Sequence, residues 1–121
     1  MHEFALCNEL VNAVLTEAAK HDYAETRVVR VRVVIGKLRQ IVPDTMKLAF
    51  ESIARETAAE EAELEMVFKQ ICVYCEGCGW EGELSNSIFV CPQCQGRQLQ
   101  LITGDELYLD QIEVEENDEN K

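Results

Sequence analysis

Five of the six cysteines fall between Cys72 and Cys94, in CVYCEGCGW (72–80) and VCPQCQG (90–96). Cys75 with Cys78, and Cys91 with Cys94, form two C-x-x-C pairs separated by twelve residues. A C-x-x-C turn places two sulfurs on one side of a tight loop. Two such turns brought together put four thiolates at the corners of a tetrahedron, which suits Zn(II) at Zn–S distances of about 2.3 Å. Gly79 relieves the crowded first turn, Pro92 stiffens the second, and Gly96 follows it by two residues. Cys72 and Cys75 also read C-x-x-C. The Cys75/Cys78 pairing is favoured by the glycine behind it, which leaves Cys72 as the last residue of a strand or a spare thiol. Two disulfides would serve only in an oxidising compartment. Iron in the same thiolate cage stays open on sequence alone. Four thiolates leave no coordination position for a substrate, so the expected site is structural.

The second constellation is the start, MHEF (1–4). A free Met1 amine, the His2 amide nitrogen and the His2 imidazole converge without any folding, and the amide or carboxylate of Glu3 completes a set of four. Adjacent chelate rings through amide nitrogens enforce a square-planar, nitrogen-rich geometry, which selects Cu(II) or Ni(II) over Zn(II). Taken alone, the pattern is also that of a solvated His2 with Glu3 as a favourable helix-end charge. His21, the other histidine, reads as a helix-end or surface residue, and Cys7 as a small buried hydrophobe.

The elements that must carry these groups are legible from periodicity. Residues 5–20 read as an amphipathic helix, with Leu6, Cys7, Leu10, Val11, Val14, Leu15 and Ala18 on one face. RVVRVRVVI (27–35) alternates, with Val29, Val31, Val33 and Ile35 inward and Arg30 and Arg32 outward. Pro43 and Asp44 open a second helix of about 43–56, with Met46, Phe50, Ile53 and Ala54 buried. ELEMVF (63–68) is a second alternating strand, and its outward Glu63 and Glu65 suit the Arg row of the first. The segment 70–104 is rich in turn residues, 106–115 reads as a last strand, and the polar composition of 116–121 predicts a disordered acidic tail.

The chain has 121 residues and a net charge of -12, with 23 acidic and 11 basic side chains. That argues against nucleic acid or an anionic membrane as partner, since phosphate binding needs clustered Lys and Arg. Between residues 70 and 104 the only basic side chain is Arg97. There is no basic, then apolar, leader, no run of roughly 20 apolar residues, and no G-x-x-x-x-G-K-[ST] phosphate loop. The expectation is a cytoplasmic, non-catalytic protein.

MHEFALCNELV, VRVVIGKL, LAFESIARET, CEGCG with CPQCQG, and TGDELYLDQIEVE together resemble the HypA/HybF family of hydrogenase nickel-incorporation proteins, in the same order over residues 1 to about 115. The resemblance implies a small nickel metallochaperone, not an enzyme. It would deliver Ni(II), with a partner GTPase, to the large subunit of nickel-iron hydrogenase, and in some organisms serve urease maturation. It implies nickel ligands at Met1, His2 and Glu3, and structural zinc on Cys75, Cys78, Cys91 and Cys94. Asp44 is a neighbour of interest without a firm match. The implied fold is α+β: two helices on a three-stranded sheet (1–69 plus 105–115), with a zinc-ribbon-like four-cysteine domain (70–104) inserted before the last strand. Two other classes compete. One is a zinc-ribbon interaction or regulatory module, marked by indifference to residues added before Met1. The other is a redox protein, marked by iron and colour.

Overall fold

The computed structural model describes residues 2–20, 27–85 and 88–115. The expectations placed on Met1, His21, residues 116–121 and the His2 side chain lie outside the described residues. The chain forms two compact units: Met1–Val33, Ile41–Met66 and Tyr108–Lys121 make the first, and Val34–Gln40 and Val67–Leu107 the second. The α+β class is as expected.

In the first unit, α1 (His2–Ala19) begins earlier than the apolar periodicity suggests. Glu3 lies in its first turn, where the helix dipole favours a carboxylate. Cys7, Leu10, Val11, Val14 and Ala18 are buried, as the spacing predicts, while Leu6 and Leu15 are half-buried. α2 (Pro43–Ala54) starts at the proline and ends two residues short of expectation. Its buried residues are Met46, Ala49, Phe50 and Ala54, and Ile53 is half-buried. The helices meet where the Cys7 thiol donates to the Met46 carbonyl at 3.4 Å, with the Met46 sulfur 3.5 Å away.

The first sheet has the order β2-β1-β6, with β1 at Arg27–Gly36, β2 at Glu63–Lys69 and β6 at Leu107–Glu115. The expected charge rows do face each other. Arg30 pairs with Glu63 at 3.9 Å and Arg32 with Glu65 at 3.3 Å. On the other side Arg30 meets Glu113, and Arg32 meets Asp110 at 3.7 Å. The pairs advance together along β1 and β2, the sense expected of parallel strands joined by a helical crossover such as α2. Along β1 and β6 they run oppositely. The inward row of β1 differs at its start: Val28 is fully buried and Val29 only half. The Val28 N–H donates to the Ala58 carbonyl at 2.9 Å, so the turn after α2 covers this end of the strand.

The second unit holds a sheet that periodicity did not reveal, of order β4-β3-β5. It comprises β3 (Ile71–Cys75), β4 (Glu81–Leu84) and β5 (Leu99–Thr103). Both neighbours run antiparallel to β3. Its core is small: Ile71, Val73 and Leu84, flanked by Leu38, Trp80, Phe89 and Leu99. Cys72 is the second residue of β3 rather than the end of a strand. Ile71, Val73 and Cys75 are buried, while Cys72 and Tyr74 alternate with them and are more open.

Candidate metal sites

The sulfurs of Cys75, Cys78, Cys91 and Cys94 all lie within 4.8 Å of one another. Cys75 Sγ is 3.7 Å from Cys94 Sγ, and Cys78 Sγ is 3.7 Å from Cys91 Sγ. Four sulfurs about 2.3 Å from a central ion at tetrahedral angles stand about 3.8 Å apart. The donor set therefore fits a tetrahedral thiolate metal site. Cys72 is not in the group.

Each C-x-x-C closes a knuckle by the same local device. Gly79 N–H donates to the Cys75 carbonyl and Gln95 N–H to the Cys91 carbonyl, both at 2.8 Å. The donating residue takes a left-handed backbone in both, φ 84° at Gly79 and 63° at Gln95. Gly79 relieves the first turn as expected, whereas the bend of the second knuckle falls on Gln95 and not on a glycine. Backbone N–H groups are then aimed at sulfur: Cys94 N–H at Cys91 Sγ and Gly96 N–H at Cys94 Sγ, each at 3.4 Å. The Gln93 side-chain amide also donates to Cys78 Sγ at 3.4 Å, a contact nothing in the spacing announces. Around the pair, Cys75 N–H donates to the Trp80 carbonyl at 2.7 Å and Cys91 N–H to the Gly96 carbonyl at 2.9 Å.

Thiols this close do not ionise independently. Burial opposes the Cys91 thiolate, but the N–H groups of Cys94 and Gln93 and the thiols of Cys78 and Cys94 outweigh it, bringing Cys91 down to about 7. The Gly96 N–H favours the Cys94 thiolate, yet its three sulfur neighbours and loss of water push it up to about 11. Cys78 is also raised: the Trp80 N–H favours its thiolate, but desolvation and the Cys91 and Cys75 thiols prevail. The first thiolate thus resists the next ones, and a divalent cation at the centre reverses that opposition.

At the other constellation, α1 begins at His2. The leading N–H groups of a helix have no acceptor within it. The Glu3 side chain is 6% exposed, and its Oε2 accepts a hydrogen bond from Val42 N–H at 3.2 Å. Asp44 lies in the first turn of α2 and is exposed.

Fold and sites together define a small two-unit protein built around metal-binding groups. A family model described as hydrogenase/urease nickel incorporation, metallochaperone, HypA, matches residues 1–114. Among curated relatives, hydrogenase maturation factor HypA 2 of Bradyrhizobium diazoefficiens is 35% identical over 95% of this chain and all of its own length. Hydrogenase maturation factor HypA of Alkalilimnicola ehrlichii is also 35% identical, with the same coverage. The solution structure of the Ni metallochaperone HypA from Helicobacter pylori superposes with a TM-score of 0.63 at 26% identity, covering 93% of this chain and 97% of that one. The chain belongs to the HypA family of nickel-incorporation metallochaperones, which act in hydrogenase maturation and are not enzymes. Among the described residues no helix is long and apolar enough to cross a membrane.

Proposed function

We propose that this chain takes up Ni(II) through the Met1 amine, the His2 amide and imidazole nitrogens and Glu3. It then passes the metal, with a partner GTPase, to the large subunit of nickel-iron hydrogenase. Cys75, Cys78, Cys91 and Cys94 hold a resident Zn(II) that supports the second unit.

The observation that carries the nickel reading is the start of α1 at His2. Amides in a first helical turn are not spent on the helix, so a metal takes their nitrogens without breaking a helical hydrogen bond. The helix dipole also favours the negative charge a deprotonated amide acquires. Ligands at a chain end peel away one at a time, which suits transfer to an acceptor. Imidazole and amine bind only when deprotonated, so nickel affinity falls as pH falls through their titration range. The surplus of acidic side chains suits a basic face on the GTPase, and association that weakens with added salt supports this.

The test is a nickel titration of tag-free protein with zinc quantified alongside. One nickel per chain is expected. It should be lost in His2→Ala and in a variant with one residue added before Met1, while one zinc remains in all three. Equal nickel binding by all three overturns the N-terminal site and favours a zinc-ribbon interaction module.

A further inference from the structure

We propose that Gln93 is a positioning residue of the four-cysteine site: its side-chain amide guards the Cys78 sulfur, so that attack on the site begins at Cys94. This rests on the zinc reading above and specifies which sulfur gives way first.

The four sulfurs are not equivalent. Cys75 and Cys91 are buried, while Cys78 and Cys94 are exposed. An electrophile or a competing chelator therefore meets the site at two sulfurs, one in each knuckle. Each exposed sulfur stands 3.7 Å from a buried sulfur of the other knuckle, Cys78 from Cys91 and Cys94 from Cys75. Each also receives a backbone N–H from the residue two places on, Trp80 for Cys78 and Gly96 for Cys94. To this point the knuckles match.

The match ends at the third position of each C-x-x-C. In CPQC that position is Gln93, whose Nε2 donates across to Cys78 Sγ at 3.4 Å. In CEGC it is Gly77, which has no side chain to send back to Cys94. Among the described residues Gln93 is the one side chain other than a cysteine that donates to a sulfur of the group. An N–H aimed at a thiolate engages electron density that would otherwise go to an electrophile, and outer donors of this kind fix the orientation of a metal ligand. A hydrogen bond to a charged acceptor outweighs the rotamer freedom that an exposed glutamine gives up, by a modest margin. The contact also ties Cys78 to the opposite knuckle, so its side chain cannot swing outward without breaking it. Cys94 has no such tie. Where one metal is handed on and another is kept, a single point of entry makes the kept site harder to strip.

The test treats the zinc-loaded full chain with iodoacetamide, in which a thiolate sulfur bonds to carbon and iodide leaves. Labelling at Cys78 and at Cys94 is followed separately by peptide mass. In the parent, Cys94 should label first. In Gln93→Leu, Cys78 should label about fivefold faster while Cys94 keeps its rate. Gln93→Glu preserves the shape but has no N–H to donate, so Cys78 should react as in Gln93→Leu. Zinc transfer to a coloured pyridylazo chelator should quicken in both variants. Whichever of the two loads one zinc carries the test. Labelling of Cys78 first in the parent overturns the proposal. So does equal acceleration at both cysteines, which marks a loosened knuckle, or a Gln93→Glu chain that behaves like the parent, which marks a steric role. Zinc counted before labelling keeps the two questions apart. A parent without one zinc per chain removes the zinc reading, whereas a loaded parent whose Cys78 ignores Gln93 removes this proposal alone.

Discussion

Cys7 carries a thiol that never meets solvent. Burial, and then the charge of Glu3, push it up to about 11 from an ordinary value near 9. The folded protein therefore holds this proton more tightly than the unfolded chain does. The resulting stability is complete below pH 9 and is lost as pH rises through 11, by about 3 kcal/mol at most. Cys7→Ser has no titrating thiol, and its hydroxyl is placed to donate to the Met46 carbonyl. In zinc-loaded protein, the stability difference between parent and Cys7→Ser should be flat below pH 9 and shift in favour of the serine variant above it. Denaturant titrations across that range measure it, and parallel curves would refute the account.

At the scale of elements, two glycines do different work. Gly79 needs its left-handed φ, and a Cβ there would meet nothing within 4 Å. Gly79→Ala should therefore cost only the backbone penalty of about 1 kcal/mol. Gln95, at the matching place in the other knuckle, already bears that penalty. Gly36 has an ordinary extended backbone, but a Cβ on it would sit 2.0 Å from the Gly104 carbonyl oxygen and 2.4 Å from the Asp105 nitrogen. Those are backbone atoms, held by Gly36 N–H donating to Glu106 and Leu38 N–H donating to Gly104. Gly36→Ala should cost about 3 kcal/mol or more, because the local backbone must open to admit the methyl group. Chemical denaturation of the two variants side by side distinguishes a strained dihedral from a blocked approach.

At the scale of the molecule, the two units differ in what holds them. The first has two amphipathic helices and the inward row of β1. The second has about fifty residues, and among those described its small sheet packs on a cluster of three buried apolar side chains. A unit of that size is marginal without a metal or another cross-link. Removing the proposed zinc with a chelator should move the emission of Trp80, the single tryptophan, to the red as the small core opens. The far-UV helical signal should persist, because α1 and α2 lie in the first unit. Simultaneous loss of both signals would show that the first unit depends on the metal as well.

The sequence by itself determined the features that depend on neighbours along the chain. These include the periods of α1, β1 and β2, the proline start of α2, the left-handed turn at Gly79, and the two C-x-x-C pairs. Pattern also matched the Arg row of β1 to the Glu row of β2, because residues alternating on one face must oppose whatever row is laid beside them. What needed the tertiary structure was every choice among groups distant in sequence. Spacing left open which four of the five clustered cysteines converge. The answer depends on β3 pairing with β4 and β5, which sets Cys75 on the buried face and Cys72 on the other. The small sheet stayed hidden because its strands are only four or five residues long, too short for alternation to register. Glu3 read as a helix-end charge because its partner lies 39 residues away. Only the packing of α1 on α2 turns that charge inward, where a buried carboxylate has to find a donor.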